Sequence, residues 1–363
     1  MLDYIVPGTI LWDNLSQLPR KTSIISKEVK FTAPSRVNIE ILDFTEMRPN
    51  IGGMHCNSGS VSFGIGLYST VKVQFLDKPE IIVENCKHKN QLRHYALIMS
   101  ELTNYNGGFI IEAEPNQYEH VGLGSTASLN HAVLNAINVG LGKPFSDREI
   151  VKIGAWNYVE TGNDGNLYPG QSTGASGWIA LKGGLCIISS DAELVFRVQI
   201  PDDLKVVVGL PDLSRIFQDS KTKGVDDSSV ELPFLKKLYF YERFNSGKIC
   251  HWVLMRLMPL LLQNNYHDIG ELIWDMVVTN SKGIATILAH NTLYPIECLM
   301  DLRKTGAEVS FLSSVGPGIV TLCTSKYLNA VKKILKLHKC RILMFNIDNY
   351  GGAVDNHRNT HQS

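Results

Sequence analysis

The residues with the clearest chemical potential form one short stretch, Gly122-Leu123-Gly124-Ser125-Thr126-Ala127-Ser128-Leu129. Its two glycines let backbone amides approach a ligand closely, and its hydroxyl residues add hydrogen-bond donors. A helical pattern follows at once, since residues at the spacing of one helix face are Leu129, Val133, Ala136, Ile137 and Gly140. The first turn of a helix presents unpaired N–H groups at the positive end of the dipole and holds anions, most often phosphate. We therefore predict a phosphate-binding loop at Gly122 to Ser128, called the cradle; a glycine turn that merely starts a helix is the alternative.

Two polar residues upstream of the cradle are the leading candidates for contact with a substrate. Arg36 and Asn38 alternate with apolar residues, which predicts a strand with one polar face. Side chains two positions apart on a strand point the same way, so we expect these two to share that face. An exposed arginine on a polar strand face carries equal weight as an explanation.

The remaining candidate residues lie in loops. Asp43 and His55 flank a Gly52-Gly53 loop and are interpreted as residues that order a metal or the substrate; a solvated loop histidine is the alternative. Ser125 and Asp164 are candidate ligands of Mg²⁺, with an ordinary turn aspartate as the competing explanation for Asp164. Three residues of a second glycine turn would shape the pocket through their backbone, namely Ser314, Gly316 and Gly318.

Composition narrows the class of ligand. Lys+Arg and Asp+Glu both number 35, so the net charge is zero, which argues against nucleic acid and favours a small ligand whose charge is met locally. Seven scattered cysteines without a CxxC pair are typical of reduced thiols in a cytoplasmic protein. The apolar stretches are too short to cross a membrane. We expect a cytoplasmic protein with no membrane and no nucleic-acid partner.

The 363 residues are enough for two domains. We predict an N-terminal extension over 1–28, a domain carrying the cradle over 29–204, a second α+β domain over 205–348 and a disordered tail over 349–363. Within the first domain, Ser146 and Glu149 stand at the spacing of a capping box and predict a helix start.

Other phosphate motifs fit the cradle poorly. The dinucleotide fingerprint needs a buried strand before its first glycine, whereas residues 115–120 are polar and contain a proline. It also needs an acidic residue about 20 positions further on, where this chain has Lys143-Pro144. A Walker loop needs a lysine after its last glycine, and Ser125 follows Gly124.

The cradle resembles the Pro-x3-Gly-Leu-Gly-Ser-Ser-x-Ala signature of the GHMP kinase superfamily. Residues 33–38 are similar to its first motif, a Pro-Gly-Lys/Arg-Val-Asn strand, and residues 313–318 are similar to its third, a glycine loop against the phosphate site. The resemblance implies an α+β, two-domain GHMP kinase-like fold with the active site in the cleft between the domains.

Further segments are similar to one branch of that superfamily, the β-ribofuranosylaminobenzene 5′-phosphate synthases and their C-nucleoside-forming relatives. These segments are residues 34–43, 63–67, 171–177, 255–260 and 313–317. The resemblance implies Mg²⁺-dependent transfer of phosphoribosyl from phosphoribosyl pyrophosphate to an aromatic carboxylic acid, with release of pyrophosphate and carbon dioxide. The chain departs from the pattern in a longer loop over 47–60 and in the absence of basic residues from 170–177.

Two other functions remain open from the sequence. A GHMP-type kinase would use the same cradle for ATP, because both reactions need the charge of a polyphosphate stabilised. A kinase fold that serves only as a scaffold is the third reading, and the intact cradle speaks against it. The sequence leaves the acceptor and the oligomeric state open, including a homodimer.

Overall fold

The computed structural model describes Ile5, Gly283 and residues 19–46, 58–162, 164–212, 243–279, 293–314 and 316–355. The strands are β1 (Glu28–Ile41), β2 (Ser60–Leu76), β3 (Ile81–Glu84), β4 (Gly108–Glu114), β5 (Val159–Thr161), β6 (Leu167–Pro169), β7 (Leu185–Ile188), β8 (Leu194–Val198), β9 (Lys205–Pro211), β10 (Val309–Leu312), β11 (Ile319–Cys323), β12 (Cys340–Phe345) and β13 (Ala353–Val354). The helices are α1 (Lys89–Thr103), α2 (Ser125–Gly140), α3 (Asp147–Trp156), α4 (Ala175–Lys182), α5 (Ser246–Trp252), α6 (Met258–Leu262), α7 (Tyr266–Thr279), α8 (Tyr294–Arg303) and α9 (Leu328–Leu337).

Two sheets organise these elements. The first follows the order β13-β1-β2-β4-β3, with β7 paired to β2 and β8 to β7. All of its pairs are antiparallel except β3 with β4. The second sheet is antiparallel in the order β10-β11-β9-β12. Along the chain, the strands of the first sheet come before those of the second, which begins at Lys205; β13, at the C-terminal end, returns to the first sheet.

Strand β1 joins the two halves of the hydrophobic core. Its first half contributes Val29, Phe31 and Ala33 to a cluster with α1 and α2. Its second half contributes Val37 and Ile39 to a different cluster, which includes the residues of the second sheet. The pairing of β1 with β2 is irregular between Pro34 and Ser35, at the point where the strand passes from one cluster to the other. Ser35 and Arg36 therefore lie where the two sheets meet.

The helices begin in two different ways. The capping box predicted at the start of α3 is confirmed, because the Ser146 hydroxyl accepts from the Glu149 N–H while the Glu149 carboxylate accepts from the Ser146 N–H. By contrast, α2 and α4 follow Gly124 and Gly174, whose φ angles of 67° and 80° are left-handed and which have no side chain to cap the helix.

The structure corrects the predicted C-terminal tail. Residues 349–363 were expected to be disordered, but Ala353 and Val354 form β13 and pair with Thr32 and Phe31 of β1. The Asn349 side chain also donates to the carbonyl oxygen of Ile200 at 2.8 Å. Pairing to a sheet edge satisfies backbone groups that composition alone marks as loop. Residues 356–363 lie outside the described part of the chain, and none of the helices described is long and apolar enough to cross a membrane.

Candidate functional site

The cradle is fixed to the second sheet through one buried hydroxyl. The Ser313 side chain, completely buried after β10, donates to the Gly122 carbonyl oxygen at 2.6 Å and accepts from the Asn38 N–H at 3.0 Å. Gly122 has a φ of 84°, and a Cβ there would collide with the Ser313 carbonyl oxygen. One serine thus joins β1, the cradle and the loop after β10.

The loop 313–318 closes against the same two segments. The Ser314 N–H donates to the Asn38 carbonyl oxygen at 3.2 Å, and the Ser313 N–H donates to the Gly318 carbonyl oxygen at 2.9 Å. A Cβ at Gly318 would lie 2.5 Å from the Val121 carbonyl oxygen. The structure therefore brings together the three segments that the sequence motifs singled out, with Ser314, Gly316 and Gly318 acting through their backbone.

Arg36 lies directly against the first turn of α2. A Cβ at Gly124 would lie 3.1 Å from the Arg36 Cγ and 3.3 Å from its carbonyl oxygen, a tight contact, and the φ of 67° there also favours glycine. The Arg36 Nε donates to the Ser176 hydroxyl at 3.3 Å, in the first turn of α4. Arg36 thus approaches the start of α2 with its backbone and Cγ and bonds to the first turn of α4 through its Nε.

This arrangement suits an anion. Helix α2 starts without a side-chain cap, so the N–H groups of its first turn have no acceptor from the residue before it. The positive end of the dipole and the Arg36 guanidinium both favour negative charge at this point. Ser125 is the first helical residue and Thr126 the second, which places their hydroxyls at the same end of the helix. Ligand oxygens bridging these donors are what a diphosphate would supply.

Three cradle residues face inward and hold the loop. Leu123 is fully buried in the core that the two sheets share, and Ala127 is also buried. The Ser128 hydroxyl donates to the Ser125 carbonyl oxygen at 2.8 Å and bonds to the Ser69 hydroxyl at 2.8 Å. The expectation that Ser128 offers its hydroxyl to a ligand is therefore wrong, because that hydroxyl is buried and engaged within the protein.

Asn38 is a buried positioning residue. Its amide nitrogen donates to the Ser62 hydroxyl and to the Glu40 carbonyl oxygen, both at 3.1 Å. Its backbone N–H and carbonyl oxygen bond to the loop 313–318. Asn38 thus ties β1 to β2 and to the second sheet, whereas Arg36, two residues earlier, is half-buried beside the cradle.

The structure does not bring Asp43 to the cradle. Asp43 follows the end of β1, and its Oδ1 accepts from the N–H and the hydroxyl of Thr45, which forms a local turn. Six residues of largely extended chain lie between it and Arg36, a path of roughly 20 Å. His55 and the Gly52-Gly53 loop lie outside the described residues.

Asp164 is an aspartate of the turn between β5 and β6. Its carboxylate accepts from the Asn166 N–H at 2.9 Å and from the Tyr168 hydroxyl at 2.8 Å, and these hydrogen bonds, the Asn166 N–H foremost, lower its pKa. The residues that the structure describes contain no group of three or more His, Cys, Asp or Glu able to hold a metal ion. Asp164 thus binds groups of its own turn, and its role as a Mg²⁺ ligand stays a prediction. At the cradle, a Mg²⁺ ion would be held mainly by a ligand's phosphate oxygens, with the Ser125 hydroxyl as the protein group.

Three contributing residues were missed by sequence reasoning. Ser313 opens the third motif, but a bond to a backbone group 275 positions away has no local signature. Ser176 belongs to a segment, 171–177, that was noted for its family resemblance without any role for the serine. Gln91 of α1 donates to the Thr126 carbonyl oxygen at 3.4 Å and accepts from the Thr161 hydroxyl at 3.3 Å, so it links the β5–β6 hairpin to the cradle.

Curated proteins and solved structures are similar to this chain over most of its length, at low sequence identity. No protein-family model matches the chain. The β-ribofuranosylphenol 5′-phosphate synthase of Methanothermobacter thermautotrophicus is 19% identical over 325 residues, covering 85% of this chain and 93% of that protein. The protein of the same name from Archaeoglobus fulgidus is 21% identical over 354 residues, covering 90% and 99%.

Solved structures decide the fold. Mevalonate diphosphate decarboxylase from Staphylococcus aureus aligns with a TM-score of 0.64 at 16% identity, covering 90% of this chain and 98% of that one. Homoserine kinase from Cytophaga hutchinsonii aligns with a TM-score of 0.60 at 17% identity, covering 92% and 98%. The chain has the GHMP kinase fold. A third structure with this fold, MDDEF in complex with MVAPP, AMPPCP and magnesium, aligns with a TM-score of 0.57 at 16% identity, covering 90% and 98%.

The predicted α+β GHMP kinase-like fold is confirmed by these alignments. The resemblance to the ribosyl-phosphate synthases is confirmed by the two curated relatives, at low identity. In this GHMP kinase fold, the cradle, Arg36 and the loop 313–318 lie together where the two sheets meet.

Proposed function

We propose that the protein transfers phosphoribosyl from phosphoribosyl pyrophosphate to an aromatic or heteroaromatic carboxylic acid, releasing pyrophosphate and carbon dioxide. The observation that carries the proposal is the uncapped first turn of α2 with Arg36 against it. The curated relatives support the reaction class, since both are named as β-ribofuranosylphenol 5′-phosphate synthases. The site would lie between the domains predicted over 29–204 and 205–348.

The chemistry makes one clear demand on the protein. The bond between ribose C1 and the diphosphate oxygen breaks, and negative charge builds on the leaving diphosphate. Preorganised N–H donors of the cradle would stabilise that charge, with the Arg36 guanidinium beside them. Fixed donors of this kind contribute several kcal/mol in enzymes, typically about 3 for a single donor.

The acceptor needs no general base in this scheme. The ring carbon that carries the carboxylate attacks ribose C1, and the electron pair of the breaking bond to carbon dioxide restores aromaticity. The candidate carboxylates agree with this, since Asp43 and Asp164 both lie in turns of their own. Mg²⁺, bound by the diphosphate and the Ser125 hydroxyl, would neutralise charge on the leaving group.

An ATP-dependent kinase is the alternative, and one observation favours it: the alignment with homoserine kinase over most of the chain. It would place ATP in the same cradle. The alternative differs in its products, because a kinase leaves ADP whereas the transfer leaves pyrophosphate and carbon dioxide.

Product analysis tests the proposal directly. The protein is incubated with Mg²⁺ and either phosphoribosyl pyrophosphate or ATP, together with 4-hydroxybenzoate and related acids. We expect pyrophosphate and carbon dioxide in equal amounts from the first donor and no ADP from the second. ADP formation without pyrophosphate would establish the kinase instead. Failure of both donors to bind in calorimetry would favour a scaffold.

A further inference from the structure

The loop that leads from β6 to α4 contains one polar side chain unlike its neighbours. The Ser172 hydroxyl accepts from the Gly174 N–H at 3.2 Å, the Thr173 hydroxyl bonds to the Ser60 hydroxyl at 2.8 Å, and the Ser176 hydroxyl accepts from Arg36. Gln171 differs, because its Nε2 and Oε1 are both buried and neither has a hydrogen-bond partner among the residues that the structure describes.

A buried amide without partners is costly for the folded state. Its nitrogen and oxygen have given up water and gained nothing in return, which is why such groups are rare in folded proteins. A leucine of similar size would fill the same space without that penalty. The arrangement becomes favourable once a ligand supplies the missing donor and acceptor.

The position of Gln171 connects it to the candidate site. The preceding Gly170 packs on the Tyr158 ring, and its N–H donates to the Tyr158 carbonyl oxygen at 3.0 Å. That fixes the loop to the β5–β6 hairpin, which reaches the cradle through Gln91. Two residues after Gln171, Thr173 touches Ser60 of β2, and Ser176 then binds Arg36. Gln171 thus stands between two sets of contacts to the site.

We propose that Gln171 binds the ring edge of the acceptor and selects acids whose ring carries a hydrogen-bond donor and acceptor side by side. The inference rests on the proposed function and names its substrate class. A side-chain amide presents one donor face and one acceptor face in a plane, so it pairs with a matching edge through two hydrogen bonds. Residues 170–176 carry no charged side chain, so Gln171 would contact the acceptor through neutral hydrogen bonds.

Two nearly isosteric acids test this selectivity. In 6-oxo-1,6-dihydropyridine-3-carboxylate a ring N–H stands next to a carbonyl oxygen, whereas 4-hydroxybenzoate has only the hydroxyl. Their binding is measured by calorimetry in the presence of magnesium pyrophosphate, and their kcat/KM from pyrophosphate release. We expect the wild-type protein to prefer the lactam by about tenfold or more, since a site built for such groups rejects analogues that lack them.

Gln171→Leu should remove that preference while leaving the fold at least as stable. We expect a loss of about tenfold or more for the lactam, mainly as a rise in KM, and a change below about threefold for 4-hydroxybenzoate. The urea midpoint should stay the same or rise, because a buried unpartnered amide is replaced by an apolar group. Gln263→Leu, at an exposed position after α6, is the matched control and should change neither quantity.

Three results would overturn the inference: a wild-type protein that binds both acids equally or neither, a preference that survives Gln171→Leu, or a variant that loses stability. Failure of the proposed function would look different. In that case calorimetry still shows the lactam preference and its loss in the variant, but phosphoribosyl pyrophosphate yields no pyrophosphate.

Discussion

Helix α2, from Ser125, and helix α3, from Asp147, follow one another along the chain, yet they begin in opposite ways. Helix α3 satisfies its own first turn, with Ser146 and Glu149 capping each other's backbone N–H groups. Helix α2 begins at Gly124, which has no side chain to offer, and places Arg36 beside the uncapped end. A glycine at this position gives up only a few tenths of a kcal/mol, roughly, relative to a serine cap, so an uncapped start costs the fold little. The uncapped start lies where β1, the cradle and the loop 313–318 meet, which is where a ligand could accept from its N–H groups.

Helix α4 is intermediate between the two. It also follows a left-handed glycine, but the Thr173 hydroxyl accepts from the Ala175 N–H at 3.4 Å and partly closes the first turn. All three helices meet at His131 of α2. A Cβ at Gly154 of α3 or at Gly177 of α4 would lie 2.5 Å or 2.6 Å from the His131 Cε1. Helices α2, α3 and α4, whose starts differ, therefore pack together around the His131 side chain.

Blocking the open start should have the largest effect. Gly124→Val would place a branched side chain against Arg36 at a positive φ, and we expect affinity for magnesium pyrophosphate to fall by about 100-fold or more. Calorimetry measures the change. Gly165→Val is the matched control, since Gly165 also has a positive φ but nothing within 4 Å of its Cβ position. Equal losses in both variants would show that backbone strain, and not closure of the cradle, is responsible.

Removing the Ser313 hydroxyl, which holds the cradle in place, should have the next largest effect. Ser313→Ala removes the donor to the Gly122 carbonyl oxygen and leaves the buried Asn38 N–H without its acceptor. We expect a loss of about 1 to 3 kcal/mol in the free energy of unfolding, with weaker pyrophosphate binding. Urea unfolding and calorimetry measure the two effects. Ser314→Ala keeps the backbone bond to Asn38 and should lose less stability; a Ser313→Ala protein as stable as the wild type contradicts the assignment.

Acid should lower the free energy of unfolding through His131, around which α2, α3 and α4 pack. Burial lowers the pKa of His131 to about 4 from an ordinary 6.5, so the folded protein keeps this ring neutral while the unfolded chain protonates near 6.5. The unfolded state then binds more protons between these values, and stability present above pH 6.5 is lost as the pH falls toward 4. For this histidine the loss between pH 7 and 5 is roughly 2 kcal/mol.

The variant that isolates this effect is His131→Gln. Burial also lowers the pKa of His94 to about 4, so the wild type should lose stability in acid through both histidines. We expect the free energy of unfolding of His131→Gln to fall less steeply between pH 7 and 5 in urea titrations. Parallel curves for the two proteins would contradict a neutral buried His131.

Removing the capping box of α3 should have the smallest effect. Ser146→Ala breaks the capping box of α3, and we expect a loss of about 1 kcal/mol in the free energy of unfolding. Pyrophosphate affinity should not change, because this helix start serves only the fold. A Ser146→Ala protein that binds pyrophosphate less well would remove the distinction between the two helix starts.

Local patterns predicted the helix starts from sequence. The capping box at Ser146 and the glycines of the cradle depend on residues within a few positions of one another, so their spacing carries the information. The roles of Asp43 and Asp164 could not be assigned from sequence, because a carboxylate in a loop sequence looks alike whether it binds a ligand or its own turn. Only hydrogen bonds in the structure distinguish the two.

Long-range contacts could not be predicted in the same way. The Ser313 hydroxyl joins groups on β1 and in the cradle that are 275 and 191 positions distant in the chain. The pairing of Val354 with Phe31 turned a segment of loop composition into a strand. The unpartnered amide of Gln171 emerges only after the partners of its neighbours are known.

The most direct test of the central claim is a crystal structure of the protein with magnesium pyrophosphate. The open start of α2 predicts that pyrophosphate oxygens accept hydrogen bonds from the N–H groups of residues 124–127, with the Arg36 guanidinium alongside. Pyrophosphate bound elsewhere, with no ligand at the first turn of α2, would contradict the account.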